Sequence, residues 1–266
     1  MKIICLKGGL GNQIFEYCRY RGLTEKKKEK VFLFYEKKKL KQHNFHMISD
    51  CFDVSLPKTP FYINYIVFGI KLLRAFHLFP RLYDDIRDDC LLIDDYCQDI
   101  QFIHNAQQYL KFRDFSLSHH HQTCLEQIQS SSFPVSVHIR RGDYLNKDNL
   151  ESFGICSVDY YMTSIQTVKE SHPDASFFFF SDDMEWVKQN ILIPQAVYIT
   201  NHDAPDYIDL FLMTKCKAHI IANSTFSYWG SKLVDKENHL CIYPSKWFAN
   251  PEWNIPDIFP DYWTSI

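Results

Sequence analysis

No Cys-x-x-Cys pair, no clean apolar run of membrane-spanning length and no strong net charge occur in this sequence, and each absence removes a class of protein. The nine cysteines stand at 5, 18, 51, 90, 97, 124, 156, 216 and 241, an odd and scattered set. That pattern predicts buried thiols in a reducing compartment rather than a disulfide framework or a paired zinc site. The formal charge is −3. Nothing global therefore favours nucleic acid or an anionic surface, and any basic chemistry that matters must be local. The most apolar long segment, Phe61 to Phe79, is interrupted by Asn64, Lys71, Arg74 and His77. It reads as an amphipathic core helix, with a membrane-surface helix as the other reading, and not as a span. Ile3 to Leu6 is too short for a signal-peptide core and runs into glycines. The triplet His119-His120-His121 follows Ser116-Leu117-Ser118 in a polar stretch and is expected to be a solvated loop, not a metal tract.

What is present is a large core and an alternating rhythm. The 266 residues are 46% hydrophobic and 16% aromatic, enough for one large domain or two ordinary ones. Lys2 to Lys7 reads as a strand, Gly8-Gly9-Leu10-Gly11 as a turn, Asn12 to Thr24 as a helix and Val31 to Tyr35 as a second strand. This is how an α/β domain begins. The lysines at 26–30 form a solvated charge run. The stretch from Asn44 to Asp114, with acidic pairs Asp84-Asp85, Asp88-Asp89 and Asp94-Asp95, reads as mostly helical with long loops. The polar region Ser116 to Ser132 is taken as a domain boundary. Beyond it, strands are expected at Val135 to Ile139, Ala175 to Phe180, Ala196 to Ile199, His219 to Ala222 and Leu240 to Tyr243. Helices are expected at Val158 to Ser171 (capped by Ser157), Met184 to Asn190, Ala204 to Cys216 and Ser227 to Asp235. The four phenylalanines Phe177 to Phe180 suggest burial on both faces of their strand.

Three of these strands end in polar clusters, and in a parallel sheet all three fall on one edge, where ligands of open α/β sheets gather. The first is His138-Ile139-Arg140-Arg141-Gly142-Asp143-Tyr144. An arginine fork suits two phosphate oxygens at once, and a glycine permits close backbone approach. Taken in isolation, the same residues read as a surface Arg–Asp salt bridge. The second is Ser181-Asp182-Asp183, whose carboxylates fit either helix capping or recognition of a purine such as guanine. The third is Asn223-Ser224-Thr225-Phe226-Ser227, where hydroxyls and free N–H groups at a helix start suit an anion, although ordinary N-capping needs the same residues. Together they describe a nucleoside diphosphate site. The Gly8 to Gln13 turn lacks the third glycine of the dinucleotide fingerprint and the Lys-Ser/Thr of a P-loop. It offers close-approach backbone and amide side chains at a helix start.

With these blocks in order, and with Asn12-Gln13-Ile14-Phe15-Glu16-Tyr17, Phe180 before the aspartate pair, Trp186 and Tyr228-Trp229-Gly230 beside them, the chain resembles the family 11 glycosyltransferases, the α-1,2-fucosyltransferases. Smaller echoes are Cys156 to Tyr161 and Asp209 to Met213. The resemblance implies an α/β, GT-B type fold of two Rossmann-like domains facing across a cleft. The N-terminal acceptor-side domain would occupy 1–130, the C-terminal GDP-fucose-binding domain 131–245, and a tail 246–266. It implies GDP-fucose as donor, no metal and no other cofactor. Arg140 would grip the β-phosphate of the leaving GDP, with Arg141 supporting the turn through Asp143. Ser224, Thr225, Phe226 and Ser227, with Asn223, would hold the diphosphate. His138 and Asp182 or Asp183 would read guanine. Gly11 and Asn12 would close on phosphates and fucose, Asn12 standing with Arg140 and Asp143 as the catalytic positions. Asp143 is a candidate base, or else fixes the arginine loop.

The implied reaction inverts fucose C1, giving an α-1,2-linked galactoside in a surface glycan. A fucosyltransferase of another linkage and a silent nucleotide-sugar or glycan binder are the alternatives. Because the chain starts almost at its first strand, the expectation is a bacterial cytoplasmic enzyme acting on a galactose-containing glycan or lipid-linked oligosaccharide at the inner membrane face. Phe61 to Phe79 and the lysines at 26–30 and 37–39 are candidate membrane contacts. No nucleic-acid partner is expected.

Overall fold

A computed structural model describes residues 1–25, 28–36, 46–83, 90–103, 106–200, 204–234 and 239–266. The chain divides into two compact units, Met1–Arg113 and Asp114–Ile266.

The first unit is built on three parallel strands. β1 (Lys2–Cys5) lies between β2 (Val31–Phe34) and β3 (Leu92–Ile93). β3 is a strand that sequence reading did not find, because two buried residues are too few to display a period. Helix Leu10–Glu25 starts two residues earlier than expected, so Leu10 and Gly11 belong to its first turn rather than to the preceding glycine turn. It buries Ile14, Phe15, Cys18 and Leu23 at helical spacing. The long helix is Phe61–Ala75, whose buried stripe Ile63, Val67 and Ile70 packs on Ile3, Cys5, Phe34 and Leu92. Short helices at Ile48–Cys51, Ile100–Ile103 and Ala106–Tyr109 complete the region read as helical with loops. Lys26, Lys27, Lys37 to Lys39 and the pairs Asp84-Asp85 and Asp88-Asp89 lie outside the described residues.

The second unit is a six-stranded, all-parallel sheet: β4 (Phe133–Ile139), β5 (Ala175–Ser181), β6 (Val197–Ile199), β7 (Ala218–Ile220), β8 (Leu240–Tyr243) and β9 (Thr264–Ser265). Their spatial order is β6-β5-β4-β7-β8-β9. Counted from β4 this is 3-2-1-4-5-6, the order of a dinucleotide-binding doubly wound sheet. Strand order therefore reverses between β4 and β7, and ligands of such sheets bind beyond the carboxyl ends of strands at that point. The β5 phenylalanines alternate as a pleated strand requires. Phe177 and Phe179 join Val135, Val137, Tyr161 and Val168 on one face, while Phe178 and Phe180 join Cys124, Ile128, Leu212 and Met213 on the other.

Two expectations change here. The division falls at 113/114 rather than 130/131, because residues 119–130 are not a loop. His119–Ser130 is a helix capped by Ser118, which accepts the His121 N–H at 3.3 Å, and its Cys124 and Ile128 belong to the core under β5. The histidine triplet forms its first turn, with His121 buried against the cap hydroxyl at 2.7 Å. The residues after 245 are not an appended tail either. Trp247, Ile258 and Trp263 are buried, and β9 extends the sheet beside β8. The nine cysteines form no disulfide; eight are buried and Cys156 is partly so.

Candidate active site

The β4 end of the second unit carries a cluster of charged side chains. Arg140 leaves β4 with its guanidinium held by two carboxylates, Asp143 at 2.5 Å and Asp182 at 2.8 Å, and lies 5.5 Å from the Tyr144 ring centroid. Asp182 does two jobs: its Oδ2 holds Arg140, and its Oδ1 accepts the backbone N–H of Arg141 at 2.9 Å. A Cβ on Gly142 would stand 2.5 Å from that Oδ2, so the glycine is what lets the loop close on Asp182.

Arg141 is structural as expected, but not through Asp143. Its Nε donates to Asp183 at 3.0 Å and its guanidinium lies 3.8 Å over the Trp186 ring. Asp183 meanwhile caps helix Met184–Asn190 by accepting from Trp186 N–H at 3.3 Å. Both aspartates therefore already have partners within the protein, in the loop and in the cap. A purine would have to share or displace these bonds.

His138, near the end of β4, is buried, and its Nδ1 has no hydrogen-bond partner among the described residues. Burial first, and then the Arg140 charge, push its pKa down to about 3, so the ring is neutral over the physiological range. The imidazole sits 5.7 Å from the Phe226 ring, which brings the β4 end to the start of the helix after β7.

That helix, Thr225–Lys232, is capped by Ser224, whose hydroxyl accepts the Phe226 N–H at 3.3 Å. The remaining first-turn N–H groups of a helix have no intrahelical acceptor and form an anion site by geometry. Thr225 is half-buried here. Ser227 differs from expectation: its hydroxyl is buried and donates to the Ala222 and Ser224 carbonyls at 3.4 and 3.2 Å. Asn223 differs more. Its side-chain amide is buried and donates to the carbonyls of Phe153, Gly154 and Trp247 at 2.9, 3.3 and 3.2 Å, while its Oδ1 accepts from Cys156. It staples three segments together beneath the site and offers a ligand no side-chain donor.

Sequence reading gave no role to Tyr144. Its hydroxyl donates to the Asn223 carbonyl at 3.3 Å and its ring stacks on Phe153, so it ties the arginine loop to the β7–helix loop. Burial pushes its pKa up to about 12, which keeps the hydroxyl a donor. The signal was its place directly after the arginine block.

In the first unit the corresponding strand end is the Gly8 turn. Gly8 has φ +71°, and a Cβ there would press on the Asn12 amide at 3.0 Å and the Tyr96 ring at 3.3 Å. Gln13 is a staple, donating to the carbonyls of Gly8 and His46 and accepting the Ile48 N–H. Asn12 Oδ1 is buried without a partner among the described residues, which leaves an acceptor for a ligand donor. Glu16 accepts the Lys7 N–H at 2.8 Å, and burial holds its carboxyl well above the usual range. Lys7 reaches Asp94, just after β3, at 2.9 Å. For Asp94, burial works upward, but the Lys7 bond together with the Lys7 and Lys71 charges and the Cys5 bond keeps the carboxyl below its ordinary value. Lys7 and Asp94 were also missed; the acidic pair at 94–95 was visible, but its strand was not.

A six-stranded parallel sheet of this order, with an arginine, a neutral histidine and a helix start at its switch point, has the architecture of a nucleotide-binding domain. The model of Glycosyl transferase family 11 matches residues 3–266, and the chain belongs to that family. Among its relatives is an alpha-1,2-colitosyltransferase of Escherichia coli, 29% identical, covering 98% of this chain and 97% of the relative. Another is the O-antigen biosynthesis glycosyltransferase WbnK of Escherichia coli, 26% identical over 98% of this chain and 99% of the relative. The fold is of the GT-B type: the fucosyltransferase NodZ from Bradyrhizobium superposes with a TM-score of 0.53 at 14% identity, covering 88% of this chain and 92% of that one.

Proposed function

We propose that this enzyme is an inverting, metal-independent galactoside α-1,2-fucosyltransferase with GDP-β-L-fucose as donor. The observation that carries the reading is Arg140, fixed by Asp143 and Asp182 at the β4 end, on the sheet edge where the strand order reverses. In the reaction the bond from fucose C1 to the β-phosphate oxygen breaks as the acceptor hydroxyl oxygen bonds C1 from the opposite face. The charge that develops is oxocarbenium-like on the sugar, as in glycoside hydrolysis, and negative on the departing GDP. Arg140 meets that negative charge. A positioned donor of this kind is worth roughly 3–4 kcal/mol of barrier. The helix start at Thr225 adds N–H groups toward the diphosphate, and neutral His138 with its unpartnered Nδ1 faces the base. Asp143 shares Arg140 with Asp182. When the diphosphate takes its place on the guanidinium, Asp143 is released to accept the proton of the acceptor hydroxyl.

The acceptor we infer is a galactose-containing glycan or lipid-linked oligosaccharide of a bacterial surface polysaccharide, assembled on the cytoplasmic side. A second reading has the same chemistry with a colitosyl donor, because one full-length relative is an alpha-1,2-colitosyltransferase. The test is turnover with GDP-fucose and GDP-colitose against a panel of galactosides, in chelator, with the product linkage read by NMR. Transfer of fucose in chelator to O2 of galactose is the expected result. Transfer of colitose alone selects the second reading. Binding of GDP without either transfer or donor hydrolysis overturns both. Arg140→Ala should lower kcat by roughly 100- to 1,000-fold with the fold intact by circular dichroism.

A further inference from the structure

Helix Phe61–Ala75 is apolar on two opposite sides. Ile63, Val67 and Ile70 face the core of the first unit. Phe61, Tyr65, Phe68 and Leu72 recur at the same helical spacing half a turn away and point outward, Phe61 and Phe68 being 73% and 70% exposed. The turn that follows continues this surface. Phe76 and Phe79 are each 66% exposed, and His77 and Phe79 are held at φ +55° and +54°. Left-handed backbone is strained for a phenylalanine, and here the strain accompanies an aromatic ring turned into solvent. A folded chain in water gains nothing from such a surface, which marks it as a contact face.

Charge identifies what it contacts. From Val54 to Tyr83 the sequence has no Asp or Glu but contains Lys58, Lys71, Arg74 and Arg81. The acids Asp84, Asp85, Asp88 and Asp89 follow outside the described residues. Among the described residues, Lys7, Lys71 and Arg74 all reach the Asp94 carboxylate, at 2.9, 3.4 and 3.5 Å. We infer that this face seats on an anionic phospholipid surface. The helix lies in the interface, its aromatic side enters the headgroup boundary, and the flanking cations meet lipid phosphates. A second copy of the chain is the poorer partner, because pairing the face with itself would set these cations against one another. No helix among the described residues is long and apolar enough to cross a membrane, so the contact is peripheral. This reading does not depend on the identity of the donor sugar.

The experiment is co-sedimentation of the whole protein with vesicles of phosphatidylcholine, with and without phosphatidylglycerol, at low and high salt. Binding is expected to the phosphatidylglycerol vesicles, and to weaken as salt screens the cations. Phe68→Ser and Phe79→Ser should each reduce it by about tenfold or more, the affinity a buried aromatic ring supplies. Lys58→Glu with Arg81→Glu should remove the lipid preference, and all variants should keep the wild-type Tm. Absence of binding to either vesicle overturns the inference. So does a dimer in analytical ultracentrifugation that Phe68→Ser converts to monomer, since that shows the face covered by a second copy.

Discussion

Single residues around the switch point divide into those that present chemistry and those that hold it in place. Asn223 is of the second kind: its amide satisfies three carbonyls in two other segments, 153–154 and 247. Removing it leaves buried acceptors unpaired at about 1–3 kcal/mol. Asn223→Ala should therefore lower Tm by several degrees in a thermal scan, and an unchanged Tm would show the staple to be unimportant. His138 makes a different prediction. Its ordinary pKa is about 6.5 in an unfolded chain, while in the fold it stands at about 3. Between those values the unfolded chain binds the proton and the folded protein does not. Stability is thus complete above pH 6.5 and falls as pH drops toward 3, by up to about 2 kcal/mol at pH 5. His219, buried and held by Ser136 at 2.7 Å, is pushed well below its ordinary value by burial and adds to the same acid limb. The urea midpoint should fall between pH 7.5 and pH 5, and fall less in His138→Gln. An equal fall in both proteins would contradict the neutral assignment.

At the scale of elements the arginine loop is one device, closed by Asp182 from the neighbouring strand end. Gly142→Ala would drive a Cβ onto Asp182 Oδ2, the atom that orients Arg140. Transfer should drop by at least about tenfold while Tm changes little, and Asp182→Ala in the same chain should add less than its separate effect, because the two share one contact. Additive losses would show that the clash is not the cause. The elements also show what a sequence reveals. Helices Val158–Ser171 and Met184–Asn190 were read to the residue, because each opens on a side-chain cap, Ser157 or Asp183, and carries an apolar stripe. Helix His119–Ser130 was not, because its buried face is only Cys124 and Ile128 plus a histidine that reads as polar. The motif blocks put the ends of β4, β5 and β7 on one edge, and the parallel sheet has them there. They did not distinguish Asn223 and Ser227, which look like ligands in sequence. Whether a side chain faces a ligand or a carbonyl beneath it depends on loops from 153 and 247 that no local pattern brings together.

For the whole molecule, the doubly wound order of the second unit and its single reversal confine the proposed nucleotide to one edge. GDP should slow amide hydrogen exchange at residues 138–144 and 223–228, the loop and the helix start at that edge. Exchange unaltered there in saturating GDP would remove the nucleotide from this edge. Both segments lie in Asp114–Ile266, so the protection expected from GDP has a definite place along the chain.

The reduced cysteines then become useful. Cys5, Cys18, Cys51, Cys90 and Cys97 belong to one unit, and Cys124, Cys156, Cys216 and Cys241 to the other. Burial raises the pKa of Cys18, Cys97, Cys216 and Cys241 far above the range in which a thiolate forms, and that of Cys156 to about 11. An alkylating reagent should therefore react slowly with these thiols in the native protein and fast only when a unit opens. With peptides separated by mass, pulse labelling would time the opening of each half of the enzyme independently, with no engineered probe.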